Sequence, residues 1–196
     1  AVVNYASGST TKILTFTYTI ASGENSLDLD YEDTDALALN SGSIRDYAGN
    51  NATLTLASPG TANSLGANKA IIVDTKPPAV VITAAEGTDG FSSSDATLSL
   101  TFTTNEAAVG FAIGDVDCGN GSLSAWNAVS ATVYTATFTP SAGGACTIDV
   151  DAGKFTDGAG NGNVAATQFN WTHNAQITVT GVTSTNSDGM YVTSQL

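Results

Sequence analysis

A nine-residue pattern occurs twice in this chain of 196 residues and constrains its architecture more than any other feature. Residues 42–50 read Gly-Ser-Ile-Arg-Asp-Tyr-Ala-Gly-Asn, and residues 153–161 read Gly-Lys-Phe-Thr-Asp-Gly-Ala-Gly-Asn. Internal similarity of this kind predicts a tandem array of small domains in place of one large domain. Each copy also places an Asp and an Asn around a glycine-containing turn, an arrangement that suits a hard cation such as calcium.

The composition limits the partners of the chain. It has 18 acidic and 5 basic residues, a net charge of −13. This charge repels phosphate backbones and anionic lipids, so we expect no nucleic-acid partner. The sequence has no apolar run long enough to span a bilayer, and we expect no membrane insertion in this segment. The acidic surplus has two interpretations: divalent cations neutralise part of it, or it forms a solvated surface that keeps the protein soluble.

Apolar and polar residues alternate with a period of two in several stretches, which is typical of half-buried strands in an antiparallel sheet. A helical turn is expected at most between Asp33 and Leu39. The apolar residues that would share one face in each alternating stretch are Leu14, Phe16, Tyr18 and Ile20; Leu98, Leu100 and Phe102; Tyr134, Ala136 and Phe138; and Ile177 and Val179.

Pro77 and Pro78 mark the clearest boundary, because proline fixes an extended path and cannot join a central strand. Residues 76–174 then have the length and the strand spacing of a complete immunoglobulin-like sandwich. We place its strands at 79–84, 96–103, 108–112, 115–118, 122–127, 132–139, 145–150 and 164–171. Residues 1–75 match the C-terminal part of such a domain without its first strands. Residues 175–196 match a first strand, either of a following repeat or donated to a neighbouring subunit.

The two cysteines, Cys118 and Cys146, close a short loop. An oxidising compartment would pair them in a disulfide, and buried free thiols are the alternative. The single histidine, His173, cannot supply a histidine-based metal triad, and the sequence shows no phosphate-binding loop and no convincing pair of catalytic acids. We therefore expect a protein that is not an enzyme.

Three segments resemble bacterial Ig-like repeats of large cell-surface adhesins and related secreted proteins. They are the motif at 157–161, Tyr-Thr-Ala-Thr-Phe-Thr-Pro at 134–140, and Val-Asp-Thr-Lys-Pro-Pro at 73–78. The resemblance implies an all-β chain of tandem immunoglobulin-like sandwiches, antiparallel and Greek-key, in an extracellular stalk at the cell surface. It also implies calcium at domain junctions and no catalysis. The chain departs from the family where Asn105-Glu106-Ala107 replaces Ser-Glu-Pro and where His173-Asn174 replaces Asp-Thr.

The predicted topology brings four side chains to the junction between the first two segments. Glu106 lies in the loop between the second and third strands, Asp157 and Asn161 lie in the loop before the last strand, and Asp74 lies in the incoming linker. Carboxylate, amide and backbone oxygens are the ligands that calcium prefers. The first copy of the motif predicts an equivalent half-site from Asp46 and Asn50. Alternatively, both motifs are ordinary turns in which Asp and Asn bond their own backbone.

Two functional hypotheses follow. The first is a structural, non-catalytic segment of an extracellular adhesin or surface fibre with calcium-stiffened junctions. Its partners are neighbouring repeats or identical subunits that exchange the 176–196 strand, together with an unidentified glycan or protein target. The second is a carbohydrate-binding module of a secreted enzyme. It requires a coplanar, exposed aromatic patch around Trp126, and burial of both Trp126 and Trp171 would count against it.

Overall fold

The computed structural model describes residues 1–177, 179, 181–183 and 185, and it divides into two compact units. The first unit consists of Ala1–Ala79, Asn105–Phe111 and Gly153–Val164. The second consists of Val80–Thr104, Ala112–Ala152 and the described part of Ala165–Leu196. Regular structure is almost entirely β, so the predicted all-β fold class is confirmed.

The first unit has little regular structure. Its elements are β1 (Tyr5–Ser7), β2 (Thr15–Phe16) and the short helix α1 (Leu65–Asn68), with β1 and β2 pairing in an antiparallel manner. Helix α1 begins after Ser64, whose hydroxyl accepts a hydrogen bond from the Ala67 N–H and acts as an N-cap. The predicted helical turn between Asp33 and Leu39 is only a turn at 34–35, and the alternation from Leu14 to Ile20 gives a strand of two residues.

The second unit contains two four-stranded sheets. One sheet has the order β3-β5-β8-β7, and the other has the order β4-β10-β9-β6. Pairing is antiparallel throughout except between β4 and β10. The first order corresponds to strands A, B, E and D of an immunoglobulin fold, with a Greek-key connection that brings β8 beside β5. The strands are β3 (Val80–Ala84), β4 (Phe91–Ser93), β5 (Leu98–Thr104), β6 (Asp117–Gly119), β7 (Gly121–Ala128), β8 (Val133–Pro140), β9 (Gly144–Asp149) and β10 (Phe169–His173).

The core of the second unit follows the predicted alternation. Burial alternates along both central strands: Leu98, Leu100, Phe102 and Thr104 are buried in β5, and Tyr134, Ala136 and Phe138 are buried in β8. Phe138 of β8 meets Trp171 of β10 edge to face, with ring centroids 6.2 Å apart. Because both rings are buried, this pair joins the two sheets through a large apolar contact. Other buried apolar residues include Leu98, Leu100 and Phe102 in β5, Tyr134 and Ala136 in β8, Cys146 and Ile148 in β9, and Phe169 in β10.

Some predicted strands differ from those observed. The strand predicted at 108–112 is reduced to a single bridge between Val109 and Thr156, and the strand predicted at 164–171 begins only at Phe169. The short strand β4 was not predicted, because its sequence, Phe-Ser-Ser, contains a single apolar residue and therefore shows no alternation. In the predicted strand at 176–180, residues 176, 177 and 179 are described and belong to no strand, and most of the donor segment 175–196 lies outside the described residues. The domain boundaries at 75/76 and 174/175 stay predictions.

The structure does not contain the predicted disulfide, since Cys118 and Cys146 are both free thiols. The register explains why. Cys118 of β6 lies opposite Ile148 of β9, which places Cys146 on the diagonal, two residues further along β9. Diagonal neighbours in a sheet are about 7–8 Å apart, whereas a disulfide joins β-carbons about 3.5–4.5 Å apart. No helix among the described residues is long and apolar enough to cross a bilayer.

Candidate metal site

The Asp157 turn is built from its own sequence. Asp157 Oδ1 accepts hydrogen bonds from the backbone N–H groups of Ala159 at 2.8 Å and Asn161 at 2.9 Å. Asp157 Oδ2 accepts a third from Asn161 Nδ2 at 2.8 Å. Gly160 has a φ of 91°, in the left-handed region that glycine adopts most readily. The carboxylate is thereby held inside the turn, with only 3% of Asp157 exposed.

The first copy of the motif adopts the same turn. Asp46 Oδ1 accepts from the Asn50 N–H and Asp46 Oδ2 accepts from Asn50 Nδ2, both at 2.8 Å, and Gly49 has a φ of 92°. The Asp46 N–H donates to the Asn50 carbonyl at 3.0 Å, and the equivalent bond from Asp157 to Asn161 measures 3.1 Å. The turn therefore forms wherever the motif occurs, and its geometry alone does not indicate a metal.

The two turns differ in their surroundings. Asp74, Glu106 and Asp157 each offer a carboxylate oxygen, and these three oxygens lie within 4.8 Å of one another. We call this group the acidic cluster. All three residues belong to the first compact unit. Among the described residues, Asp46 is not part of any such group of three acidic or other metal-ligating side chains. The predicted convergence of Asp74, Glu106 and Asp157 is present in the structure, and the Asp46 turn stands without equivalent partners in the part of the chain described.

Separate hydrogen bonds hold Glu106 and Asp74 in place. Asn105, which precedes Glu106, accepts from the Ala79 N–H through Oδ1 at 2.7 Å and donates its own N–H to the Ala79 carbonyl at 3.1 Å. Asn161 Nδ2 donates to the backbone carbonyl of Asp74 at 3.1 Å. Asn161 thus ties the linker to the Asp157 turn. Metal ligation by Asn161, like that by Asn50, stays a prediction.

Two opposing effects set the pKa of Asp157. Burial raises it, and hydrogen bonds from the Asn161 side chain and from backbone N–H groups of the turn lower it by more. The net pKa lies below the usual value, so the carboxylate is ionised at neutral pH. In the exposed Asp46 turn, the hydrogen bonds from Asn50 are the main cause of a similarly lowered pKa.

The acidic cluster suits calcium. Calcium–oxygen distances are about 2.3–2.6 Å, so two ligands of one ion lie at most about 5.2 Å apart. The 4.8 Å limit in the cluster satisfies this condition. Three carboxylates are a hard, oxygen-only donor set, which disfavours the softer transition metals. Water and loop carbonyls are the usual source of the remaining calcium ligands.

The aromatic residues do not favour the sugar-binding alternative. Trp171 is buried, with 1% of its surface exposed. Trp126 is half-buried and packs against Tyr134, at a centroid distance of 5.7 Å, and against Phe102, at 5.4 Å. A bulge in β7, where Ala125 has a φ of 51°, accompanies this placement. Trp126 therefore contributes to packing in the second unit but is only half-buried, so the condition that both tryptophans be buried is met by Trp171 alone.

The single histidine, His173, contacts a backbone carbonyl and a buried tryptophan ring. Its Nδ1 lies 3.1 Å from the Ala142 carbonyl, and its ring lies 5.1 Å from that of Trp171. His173 is the last residue of β10 and makes both contacts within the second unit.

Sequence reasoning did not identify Asn105 as part of the site. The signal was available: an Asn that follows a strand directly and precedes the ligand candidate is a residue type that commonly bonds nearby backbone. Asn163 was also missed. It is buried, and its Oδ1 accepts from the N–H groups of Lys154 at 2.7 Å and Phe155 at 3.0 Å, which fixes the segment leading into the Asp157 turn.

Comparison with known proteins adds one family. A family model described as a bacterial Ig-like domain matches residues 74–179, more than half of the chain. The match includes every member of the acidic cluster. A search of curated proteins finds no match to the chain.

Proposed function

The chain belongs to the bacterial Ig-like domain family, and we propose that it is a structural segment of an extracellular bacterial adhesin or surface fibre whose acidic cluster binds calcium. Domains of this family are typically non-catalytic and are often exposed at the cell surface. Both properties support a structural role at the surface.

The observation that carries the proposal is the convergence of Asp74, Glu106 and Asp157 from three separate segments of the chain. A turn needs only its own Asp and Asn, as the Asp46 copy demonstrates. Bringing two further carboxylates to the Asp157 turn adds like-charge repulsion, which is unfavourable unless a cation offsets it. A divalent ion is the natural occupant of such a group.

The proposed role of calcium is mechanical. The ion would join the linker at Asp74, the loop at Glu106 and the turn at Asp157, which are far apart in sequence. Its charge would replace mutual repulsion by attraction to a shared centre. Relative motion of the three segments would then be restricted, and a tandem array of such repeats would become stiffer. Removing calcium would loosen the array.

Isothermal titration calorimetry tests the calcium site with a matched pair of variants. Asp157→Ala and Asp46→Ala each remove the two hydrogen bonds from the Asn of the turn, but only Asp157→Ala removes a member of the acidic cluster. We expect the wild-type chain and Asp46→Ala to bind calcium, and Asp157→Ala to lose binding at the cluster. Equal titrations for the two variants, or no heat from the wild-type chain, would overturn the proposal.

A second part of the proposal concerns assembly by strand exchange, in which the 176–196 segment of one subunit pairs with the first unit of another. Two exposed apolar surfaces support it. Ile13, Phe16 and Ile20 are exposed near the two-stranded β1–β2 sheet, and a sheet of two strands is marginally stable without a further partner. Ile177 and Val179 are also exposed, at 96% and 75%, and have the spacing of a strand face.

Sedimentation velocity tests this assembly. We expect a concentration-dependent increase in mass for the wild-type chain, absent in Ile177→Asp and in Phe16→Asp. The exposed Val81 lies in the second unit, outside both surfaces, and Val81→Asp serves as the control that should still associate. Strand exchange is contradicted by a wild-type chain that stays monomeric at high concentration.

A further inference from the structure

We infer that Thr75 and residues 23–25 form a clamp that positions Asp74 for cation binding, an inference that rests on the proposed calcium site. Asp74 lies between two residues that are both held by the same stretch of chain. On one side, the Val73 N–H and carbonyl exchange hydrogen bonds of 2.8 Å with Ser26. Val73 is buried and Ser26 is half-buried. The chain entering Asp74 is fixed.

Thr75 fixes the other side of Asp74. Its N–H donates to Asn25 Oδ1 at 2.9 Å, and its hydroxyl accepts from the Gly23 N–H at 2.8 Å. The same hydroxyl donates to the Glu24 carbonyl at 3.1 Å. The Thr75 hydroxyl therefore both accepts and donates a hydrogen bond. A serine at this position could make the same two bonds, whereas a valine could make neither.

The loop that receives Thr75 is itself held by Glu24. Glu24 Oε2 accepts from the Ala21 N–H at 2.7 Å and from the Tyr18 hydroxyl at 2.8 Å. The Glu24 N–H also donates to the Ala21 carbonyl at 3.2 Å. Residues 23–25 therefore present a formed docking surface to Thr75.

The clamp reaches the acidic cluster through the Asp74 backbone. With Val73 and Thr75 both held, the φ and ψ of Asp74 have little freedom, and its carbonyl accepts the hydrogen bond from Asn161 Nδ2. A ligand held before the ion arrives lowers the ordering entropy that binding would otherwise lose. By reciprocity, calcium binding must also stabilise the clamp.

The inference assigns a positioning role to a hydroxyl that does not belong to the acidic cluster. Partners of metal ligands commonly change metal affinity by about 10–100-fold when they are removed. Because Thr75 acts on a single ligand through the backbone, we expect its removal to weaken calcium affinity about tenfold, at the lower end of this range.

Calorimetric titration with calcium tests the clamp in four chains: wild type, Thr75→Val, Thr75→Ser and Thr172→Val. Thr172 is exposed in β10 of the second unit and provides the matched Thr→Val control. We expect Thr75→Val to raise Kd about tenfold, and Thr75→Ser and Thr172→Val to stay within about twofold of wild type. An unchanged Kd in Thr75→Val, beside normal binding by the wild type, would refute the clamp and leave the calcium site intact. If Thr75→Val does not fold, the variant Asn25→Ala takes its place in the comparison, because it removes the acceptor of the Thr75 N–H.

A metal-free experiment separates the clamp from the proposed function. In chelator, the effects of Thr75→Val and Asn161→Ala on the unfolding equilibrium constant are measured singly and together. If the clamp holds the Asp74 carbonyl for Asn161, the fold-change in the unfolding equilibrium constant of the double variant is smaller than the product of the fold-changes in the two single variants. That result would support the clamp even if the wild-type chain bound no calcium, whereas a purely multiplicative result would overturn it.

Discussion

At the scale of single residues, the two copies of Asp-x-Ala-Gly-Asn separate what a motif specifies from what its surroundings add. The pattern correctly indicated a glycine-containing turn in both places, because every hydrogen bond that defines the turn is local. The convergence of Asp74 and Glu106 on Asp157 followed from topology. Thr75 could not be assigned from sequence, because its partners in the 23–25 loop are distant along the chain. Asn105 was overlooked, although an Asn directly after a strand commonly bonds nearby backbone.

The lowered pKa of Asp157 predicts an acid-sensitive contribution to stability. Folding favours the ionised form, so this contribution is fully present above the unfolded pKa of about 3.9 and is lost as pH falls through the lower folded pKa. In chelator, we expect Asp157→Asn to be less stable than wild type at neutral pH, with a gap that narrows below about pH 4. Urea unfolding across this pH range measures the gap.

The exposed Asp95 provides a control for that titration, since Asp95→Asn removes one charge outside the turn. We expect its stability to follow wild type closely over the same range. A gap between wild type and Asp157→Asn that stays constant down to pH 3 would show that the carboxylate charge of Asp157 does not matter to folding.

At the scale of elements, alternation predicted the long strands well and the short ones poorly. β5 has four buried residues at a spacing of two and β8 has three, so the burial pattern of both strands was visible in the sequence. β4 depends on a partner supplied by β10, and no local pattern indicates it, whereas the strand predicted at 108–112 forms only the bridge between Val109 and Thr156. The predicted disulfide failed for a related reason: pairing depends on register, and spacing along the chain does not reveal register.

The two tryptophans should differ in their energetic importance. Trp171 is buried and contacts Phe138 across the sheets, so Trp171→Ala should reduce the free energy of unfolding by about 3–5 kcal/mol. Trp126 is half-buried, and Trp126→Ala should reduce it by less. Chemical denaturation monitored by circular dichroism compares the two variants. Equal losses would show that Trp126 is as much a core residue as Trp171.

The cysteines should behave as two protected thiols. Burial and the neighbouring Asp117 raise the pKa of Cys118 to about 11, and burial raises that of Cys146, so both are protonated at neutral pH. We expect slow alkylation by iodoacetamide in the folded protein and two adducts per chain after unfolding without reductant, detected by intact mass. An unfolded chain that takes up no adduct until it is reduced would demonstrate the disulfide.

At the scale of the whole molecule, composition and strand pattern identified an all-β chain with a strongly acidic surface, and the family match supports the same class. The net charge of −13 alone did not distinguish bound cations from a solvated surface. The acidic cluster favours the interpretation with bound cations, because it concentrates three of the carboxylates in one place. The central claim is therefore that calcium stabilises the folded chain through this cluster.

Thermal unfolding in calcium and in chelator tests that claim most directly. A ligand that binds only the folded state stabilises it by about 2.7 kcal/mol at 100 times its Kd. The account predicts a higher Tm in calcium for wild type and for Asp46→Ala, and no change for Asp157→Ala. A wild-type Tm that is the same in calcium and in chelator would contradict the account.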